Sequence, residues 1–141
     1  MKKKILVLCT GNSARSQMAE GFLRSFDPTL EVISAGTFPA GQVNPFAVEV
    51  MKEVGIDLSS HHPKSVDEFL QQPFDYVITV CDNAKETCPI FAGAVKQRLH
   101  LGFPDPAEAV GSREEILSAF RSVRNDIQKT FHQFWNDSLK R

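Results

Sequence analysis

The sequence predicts an α/β fold: a four-stranded parallel sheet in the flavodoxin-like order 2-1-3-4, with helices on both faces. Two observations carry this. Short apolar runs bounded by turn residues alternate with segments whose apolar residues recur at helical spacing, and such alternation implies parallel strands joined by right-handed crossovers. The run Asp75 to Val80 (Asp-Tyr-Val-Ile-Thr-Val) is nearly continuous in apolar residues, as a strand covered on both faces is.

The elements follow in chain order. Ile5 to Leu8 is the first strand, leading into Cys9-Thr10-Gly11-Asn12-Ser13-Ala14-Arg15-Ser16. Met18, Ala19, Phe22, Leu23 and Phe26 then recur on one face of a helix from about Ser16 to Phe26, ended by Pro28. Leu30 to Ala35 is a second strand, closed by Gly36. Asn44-Pro45 supplies a cap and first turn for a helix carrying Ala47, Val48, Met51 and Val54 inward, with Gly55 as its stop. Ser65 and Glu68 form a capping box for a short helix, Asp75 to Val80 is the third strand, and Cys81 follows it at once. Val95 to Leu101 is a weaker fourth strand, followed by the loop Gly102-Phe-Pro-Asp-Pro-Ala, stiffened by two prolines. Ser112 and Glu115 cap a long helix with Ile116, Leu117, Phe120, Val123, Ile127, Phe131, Phe134 and Trp135 facing the core.

At 141 residues the chain is expected to be a single domain over 1–141, large enough to bury about 70 % of its unfolded surface. With 23 % charged residues and a net charge of −1, nothing points to nucleic acid or an anionic membrane as partner. Lys2 to Lys4 read as a solvated lead-in, and the apolar run after them is too short for a signal peptide. No stretch is long enough to span a bilayer, so the expected location is the cytoplasm. There, three cysteines are reactive or buried rather than a permanent disulfide framework.

The chemistry concentrates at Cys9 to Ser16. A cysteine and an arginine with five residues between them can close a loop whose backbone N–H groups and guanidinium converge on one tetrahedral oxyanion, with the thiol beneath it. Thr10, Gly11, Asn12, Ser13, Ala14, Arg15 and Ser16 are therefore the candidate anion-binding residues. The helix N-terminus that holds the anion also stabilises a thiolate: lowering the thiol pKa from about 8.5 by about two units, or about 2.7 kcal/mol, makes it mostly ionised at neutral pH. In open α/β sheets ligands gather beyond the carboxyl ends of the strands. Cys9, Cys81 and Asp105 follow three different strands and are predicted to converge there, with Asp105 as candidate acid for a leaving oxygen. Cys81 and Cys88 are seven residues apart, about 10 Å of rise if the segment is helical and beyond the roughly 7 Å limit for a disulfide, so bridging them requires the segment to unwind. On spacing alone, two unrelated cysteines remain the alternative. His61 and His62 have no cysteine or carboxylate at ligand spacing, and no metal site is expected.

These residues resemble the thioredoxin-coupled arsenate reductases, a family that shares the low-molecular-weight tyrosine phosphatase fold. The resemblance rests on Cys-Thr-Gly-Asn-Ser-Ala-Arg-Ser-Gln-Met-Ala-Glu-Gly from Cys9, Ser-Ala-Gly from Ser34, Asn44-Pro45, Val-Cys-Asp from Val80, Cys88-Pro89, and Phe-Pro-Asp-Pro-Ala from Phe103. It implies that Cys9 attacks arsenate, Arg15 holds its oxygens and Asp105 protonates the departing hydroxyl. It further implies that Cys81 attacks Cys9 to release arsenite, and that Cys88 takes over the bond. The resulting Cys81 to Cys88 disulfide would be reduced by thioredoxin, with no bound cofactor. No large exposed apolar face in the sequence demands a partner, so a monomer is expected. Two positions depart from the family pattern. Members that bind potassium use positions matching Asn12, Glu20 and Ser34 with an aspartate where this chain has Lys64, so the lysine ammonium is expected in the cation's place. Some relatives carry a further cysteine at Ala14, which a three-thiol relay does not need. The alternatives are a low-molecular-weight protein tyrosine phosphatase, whose aromatic residues after the aspartate are replaced here by Pro106, Ala107 and Glu108, and a non-enzymatic oxyanion or redox sensor.

Overall fold

The computed structural model describes residues 2–82 and 90–140. Strands β1 (Lys4–Cys9), β2 (Glu31–Gly36), β3 (Phe74–Thr79) and β4 (Val95–His100) form one parallel sheet in the order β2-β1-β3-β4, as expected from the alternating pattern. Helices α1 (Arg15–Phe26), α2 (Pro45–Lys52) and α3 (Arg113–Phe134) join them, with 3-10 turns at Val66–Phe69 and Pro106–Glu108 and a π turn at Trp135–Leu139.

Side chains of β1 alternate between two cores, as the two-residue period of a strand requires. Ile5, Val7 and Cys9 join Met18, Phe22, Met51, Phe120, Ile127 and Phe131, the buried stripes of all three helices. Leu6 and Leu8 join Ala35, Phe74, Val77 and Phe91 on the opposite face, packed by Val66, Phe69 and Leu70 around the first 3-10 turn.

Several local expectations change. Lys4 is half-buried and opens β1, its N–H donating to Asp75 Oδ2 at 2.8 Å, while the Lys3 carbonyl accepts from Glu31 N–H at 2.9 Å. Part of the lysine lead-in is thus fastened to the sheet rather than solvated. Helix α2 ends at Lys52, so Val54 is 39 % exposed and Val50 takes the inward position instead. Gly55, at φ +82, makes the left-handed turn that only glycine adopts without strain. Ser65 and Glu68 do form the capping box, but over a single 3-10 turn. Ile116 and Trp135 are half-buried at the two ends of the long helix, whose central residues are buried.

Candidate active site

Four parallel strands end at one edge, and β1 there gives way to the loop Thr10 to Ala14 before α1. The loop's carbonyls turn outward onto the scaffold. Thr10 O accepts from Phe38 N–H at 2.9 Å, Gly11 O from Ala40 N–H at 2.9 Å, Ser13 O from Asn44 N–H at 2.8 Å, and Asn12 O from Gln17 Nε2 at 3.2 Å. In a trans peptide the N–H points opposite to the C=O of the same unit, so the N–H groups of Gly11, Asn12, Ser13 and Ala14 face the inside of the loop. Successive inward N–H groups make an anion-binding concavity. Asn12 carries the one left-handed non-glycine backbone among the described residues, φ 51, a conformation asparagine tolerates. Its side chain is fastened on both sides: Nδ2 donates to Ser16 Oγ at 2.8 Å, and Oδ1 accepts from Lys64 N–H at 2.9 Å and Gln17 Nε2 at 3.2 Å.

Two residues that sequence reasoning left in the background shape this loop. Gln17 is fully buried and ties Asn12 to the His62 carbonyl, while its Oε1 lies 3.0 Å from His61 Nδ1. Gly36, seen in the sequence only as a strand end, is where β2 touches the loop. A Cβ there would stand 2.4 Å from Thr10 O and 3.0 Å from Asn12 N. The Ser-Ala-Gly stretch was the available signal, but the close approach belongs to neighbouring strands and is invisible within one.

Arg15 opens α1 and is 4 % exposed. Its Nη1 donates to Phe103 O at 3.2 Å and its Nη2 lies 3.7 Å from Asp105 Oδ2, so the guanidinium joins the Cys9 loop to the loop after β4. Asp105 Oδ1 accepts from Ala107 N–H at 3.0 Å, capping the turn Pro106–Glu108, and Oδ2 is thereby turned toward Arg15. The third strand reaches the same edge: Val80 N–H donates to Leu8 O at 3.0 Å, and Val80 O accepts from Phe103 N–H at 3.1 Å. Cys81 thus leaves β3 between the ends of β1 and β4. Cys81 is fully buried and disulfide-bonded; Cys9 is 3 % exposed and carries a reduced thiol. Cys88 lies outside the described residues.

Behind the loop, buried Glu20 accepts from Ser34 Oγ at 2.6 Å and pairs with Arg24 Nε at 3.1 Å, with His61 Nδ1 at 3.8 Å and Lys64 Nζ at 4.0 Å. Burial pulls the His61 and Lys64 pKa values below their ordinary range, opposed in both by Glu20. A potassium ion does not fit beside this carboxylate, since two cationic side chains already face it and Asn12 Oδ1 is turned to Gln17 and Lys64 N–H. Among the described residues no cluster of histidine, cysteine and carboxylate side chains is arranged to hold a metal, and no helix is long and apolar enough to cross a membrane.

Residues 4–141 match the family described as low molecular weight phosphotyrosine protein phosphatase. The chain is 46 % identical over 134 residues to an arsenate reductase of Halalkalibacterium halodurans, covering 94 % of this chain and 95 % of that one. It is 43 % identical over 136 residues to an arsenate reductase of Bacillus subtilis, covering 95 % and 96 %. Among solved structures, an arsenate reductase in the phosphate binding state superposes with a TM-score of 0.76 at 27 % identity, covering 96 % of this chain and 98 % of that one. A thioredoxin-dependent arsenate reductase of Corynebacterium glutamicum gives 0.59 at 26 % identity, covering 94 % and 63 %.

Proposed function

The chain belongs to the low molecular weight phosphotyrosine protein phosphatase family, and within it we propose that this protein is an arsenate reductase that recycles through a cysteine relay and thioredoxin. The observation that carries the reading is a second cysteine, Cys81, just past the end of the strand that pairs with the one ending in Cys9. Hydrolysis at phosphorus uses one thiol and water, so a buried second thiol in this position serves redox chemistry.

The inward N–H groups of Gly11 to Ala14 and the Arg15 guanidinium hold the arsenate oxygens, and the Cys9 thiolate attacks arsenic. Asp105 protonates the departing hydroxyl, which leaves as water. Cys81 then attacks the Cys9 sulfur. The Cys9–arsenic electron pair stays on arsenic, arsenite departs, and the two sulfurs are left as a disulfide. Cys88 attacks the Cys81 sulfur, Cys9 leaves as a thiolate, and the Cys81 to Cys88 disulfide passes to thioredoxin. The enzyme works as a single-domain monomer in the cytoplasm, with no prosthetic group or required metal ion.

The test follows arsenite formation and NADPH consumption with thioredoxin and thioredoxin reductase. Cys9→Ser is inert, Cys81→Ser and Cys88→Ser lose multiple turnover, and Cys88→Ser accumulates a Cys9 to Cys81 disulfide. Normal turnover by Cys88→Ser with thioredoxin refutes the relay. Efficient hydrolysis of an aryl phosphate without thiol-dependent arsenate reduction favours the phosphatase reading, for which Pro106, Ala107 and Glu108 supply no ring contact.

A further inference from the structure

Gln17 has no part in the steps above, yet it is fully buried on α1 against the anion loop. Its Nε2 lies 3.2 Å from each of three oxygens, Asn12 O, Asn12 Oδ1 and His62 O. Turning the amide over would set an oxygen against those three oxygens, so its orientation is fixed. Oε1 then accepts from His61 Nδ1–H at 3.0 Å, and the far end of the side chain is clamped between His61 and His62.

The neighbouring carbonyls of the loop are fastened in another way. Thr10 O, Gly11 O and Ser13 O accept from the backbone N–H groups of Phe38, Ala40 and Asn44, and Ala14 O accepts from that of Met18. Asn12 O is instead held by the Gln17 side chain. The Ser13 N–H stands on the opposite side of the same peptide unit, so the hold on Asn12 O decides where this N–H points. Asn12 is also the residue with the left-handed backbone, φ 51, a conformation that costs a non-glycine residue free energy and persists only where its surroundings fix it. One amide group, that of Gln17, binds both the main-chain and the side-chain oxygen of this residue.

We propose that Gln17 is a positioning residue for oxyanion binding: through the Asn12 peptide it aims the Ser13 N–H into the loop and so completes the set of donors that receives the substrate oxygens. The assignment rests on the anion-binding role given to this loop above. Without the Gln17 amide hydrogens the Asn12 carbonyl loses its anchor, the peptide turns, and the Ser13 N–H leaves the common focus. The N–H groups of Gly11, Asn12 and Ala14 keep their directions, because the carbonyls opposite them are held by backbone N–H groups. The effect of losing Gln17 is therefore concentrated at one donor.

The experiment follows the loop amides by NMR in reduced, nitrogen-labelled full-length protein, with inorganic phosphate as a tetrahedral oxyanion that thiols do not reduce. In the parent the amide signals of Gly11, Asn12, Ser13 and Ala14 all move as phosphate is added. In Gln17→Met, similar in size but without the amide, the Ser13 movement is lost at saturating phosphate while those of Gly11 and Ala14 persist, and phosphate binds at least about tenfold more weakly. Gln17→Glu keeps an acceptor for His61 but has an oxygen where Nε2 stood, and it shows the same selective loss. The parent alone also tests the assignment: a Ser13 signal that stays still while Gly11 and Ala14 move overturns it, whether or not the variants fold. If no loop amide of the parent moves with phosphate, the anion-loop reading and this assignment fall together. If all four move in the parent and move alike in Gln17→Met at unchanged affinity, only the role of Gln17 is overturned. Equal loss at all four amides in the folded variant overturns it too, since that marks a general loosening of the loop.

Discussion

Replacing Gly36 with alanine tests whether the anion loop is shaped by contact with β2. The added Cβ would stand 2.4 Å from Thr10 O and 3.0 Å from both Thr10 C and Asn12 N, all of them backbone atoms that no rotamer change can withdraw. An ordinary carbon–oxygen contact is about 3.3 Å, so the loop or the end of β2 must retreat by about 0.9 Å. Retreat of β2 is resisted, because Gly36 N–H donates to Lys64 O at 2.8 Å and Gly36 is paired with Cys9 in the sheet. The loop therefore yields, and its Gly11 to Ala14 N–H groups leave their common focus. Misplacement on this scale costs about 100-fold in rate, and overpacking costs about 1–3 kcal/mol in stability, lowering the melting temperature by about 4–12 °C. Steady-state arsenate reduction and calorimetry read both effects, and protection of Cys9 from alkylation by arsenate reads the loop directly. Alanine at 36 with kcat/KM within twofold of the parent and an unchanged melt refutes the argument.

Three further outcomes are expected. Arg15→Lys loses the fork that spans Phe103 O and Asp105, and kcat/KM for arsenate falls by about 100-fold or more, with the fold intact by circular dichroism. Glu53 is held at a pKa of about 2, against an ordinary 4.5, by hydrogen bonds from Arg121 and then Arg124. Its folded pKa is depressed, so its contribution is present above the unfolded value and is lost as pH falls from about 4.5 toward 2. The melting temperature of Glu53→Gln should lie below the parent's at pH 7, and the gap should narrow below about pH 4.5 and close only below about pH 2. Because Lys64 and Arg24 already face Glu20, potassium chloride should raise the melting temperature no more than sodium chloride at equal ionic strength. A potassium-specific rise shows that a cation binds there despite the lysine.

The parts of the site nearest to Cys9 were the most legible. Cys9, Asn12 and Arg15 sit within one short loop between a strand and a helix, where local chemistry dictates local conformation. Asp105 was legible as the aspartate of a proline-framed turn after β4, and its capping of Pro106–Glu108 follows from the same local rules. Gln17 was hidden because its position on α1 carries only the information that it is polar. Its burial comes from the His61 to Lys64 segment laid over the helix, a contact 45 residues away in the chain. Val54 was misplaced for a related reason: helical spacing continues on paper past Lys52, but the end of α2 is decided by where the chain must turn.

From its residues alone this chain determines an alternating α/β order and an anion loop with a thiol at its base, while the exchange among Cys9, Cys81 and Cys88 is what the family resemblance implies. Periodicity, turn chemistry and side-chain type are properties of neighbours in sequence, and they survive without any long-range contact. Tertiary structure decided the rest: that Gly36 must be glycine because another strand's loop lies against it, and that Gln17 is buried beneath the His61 to Lys64 segment. Each of these joins residues on different elements. Their distances are set by sheet register and crossover geometry, which no single stretch of the chain encodes.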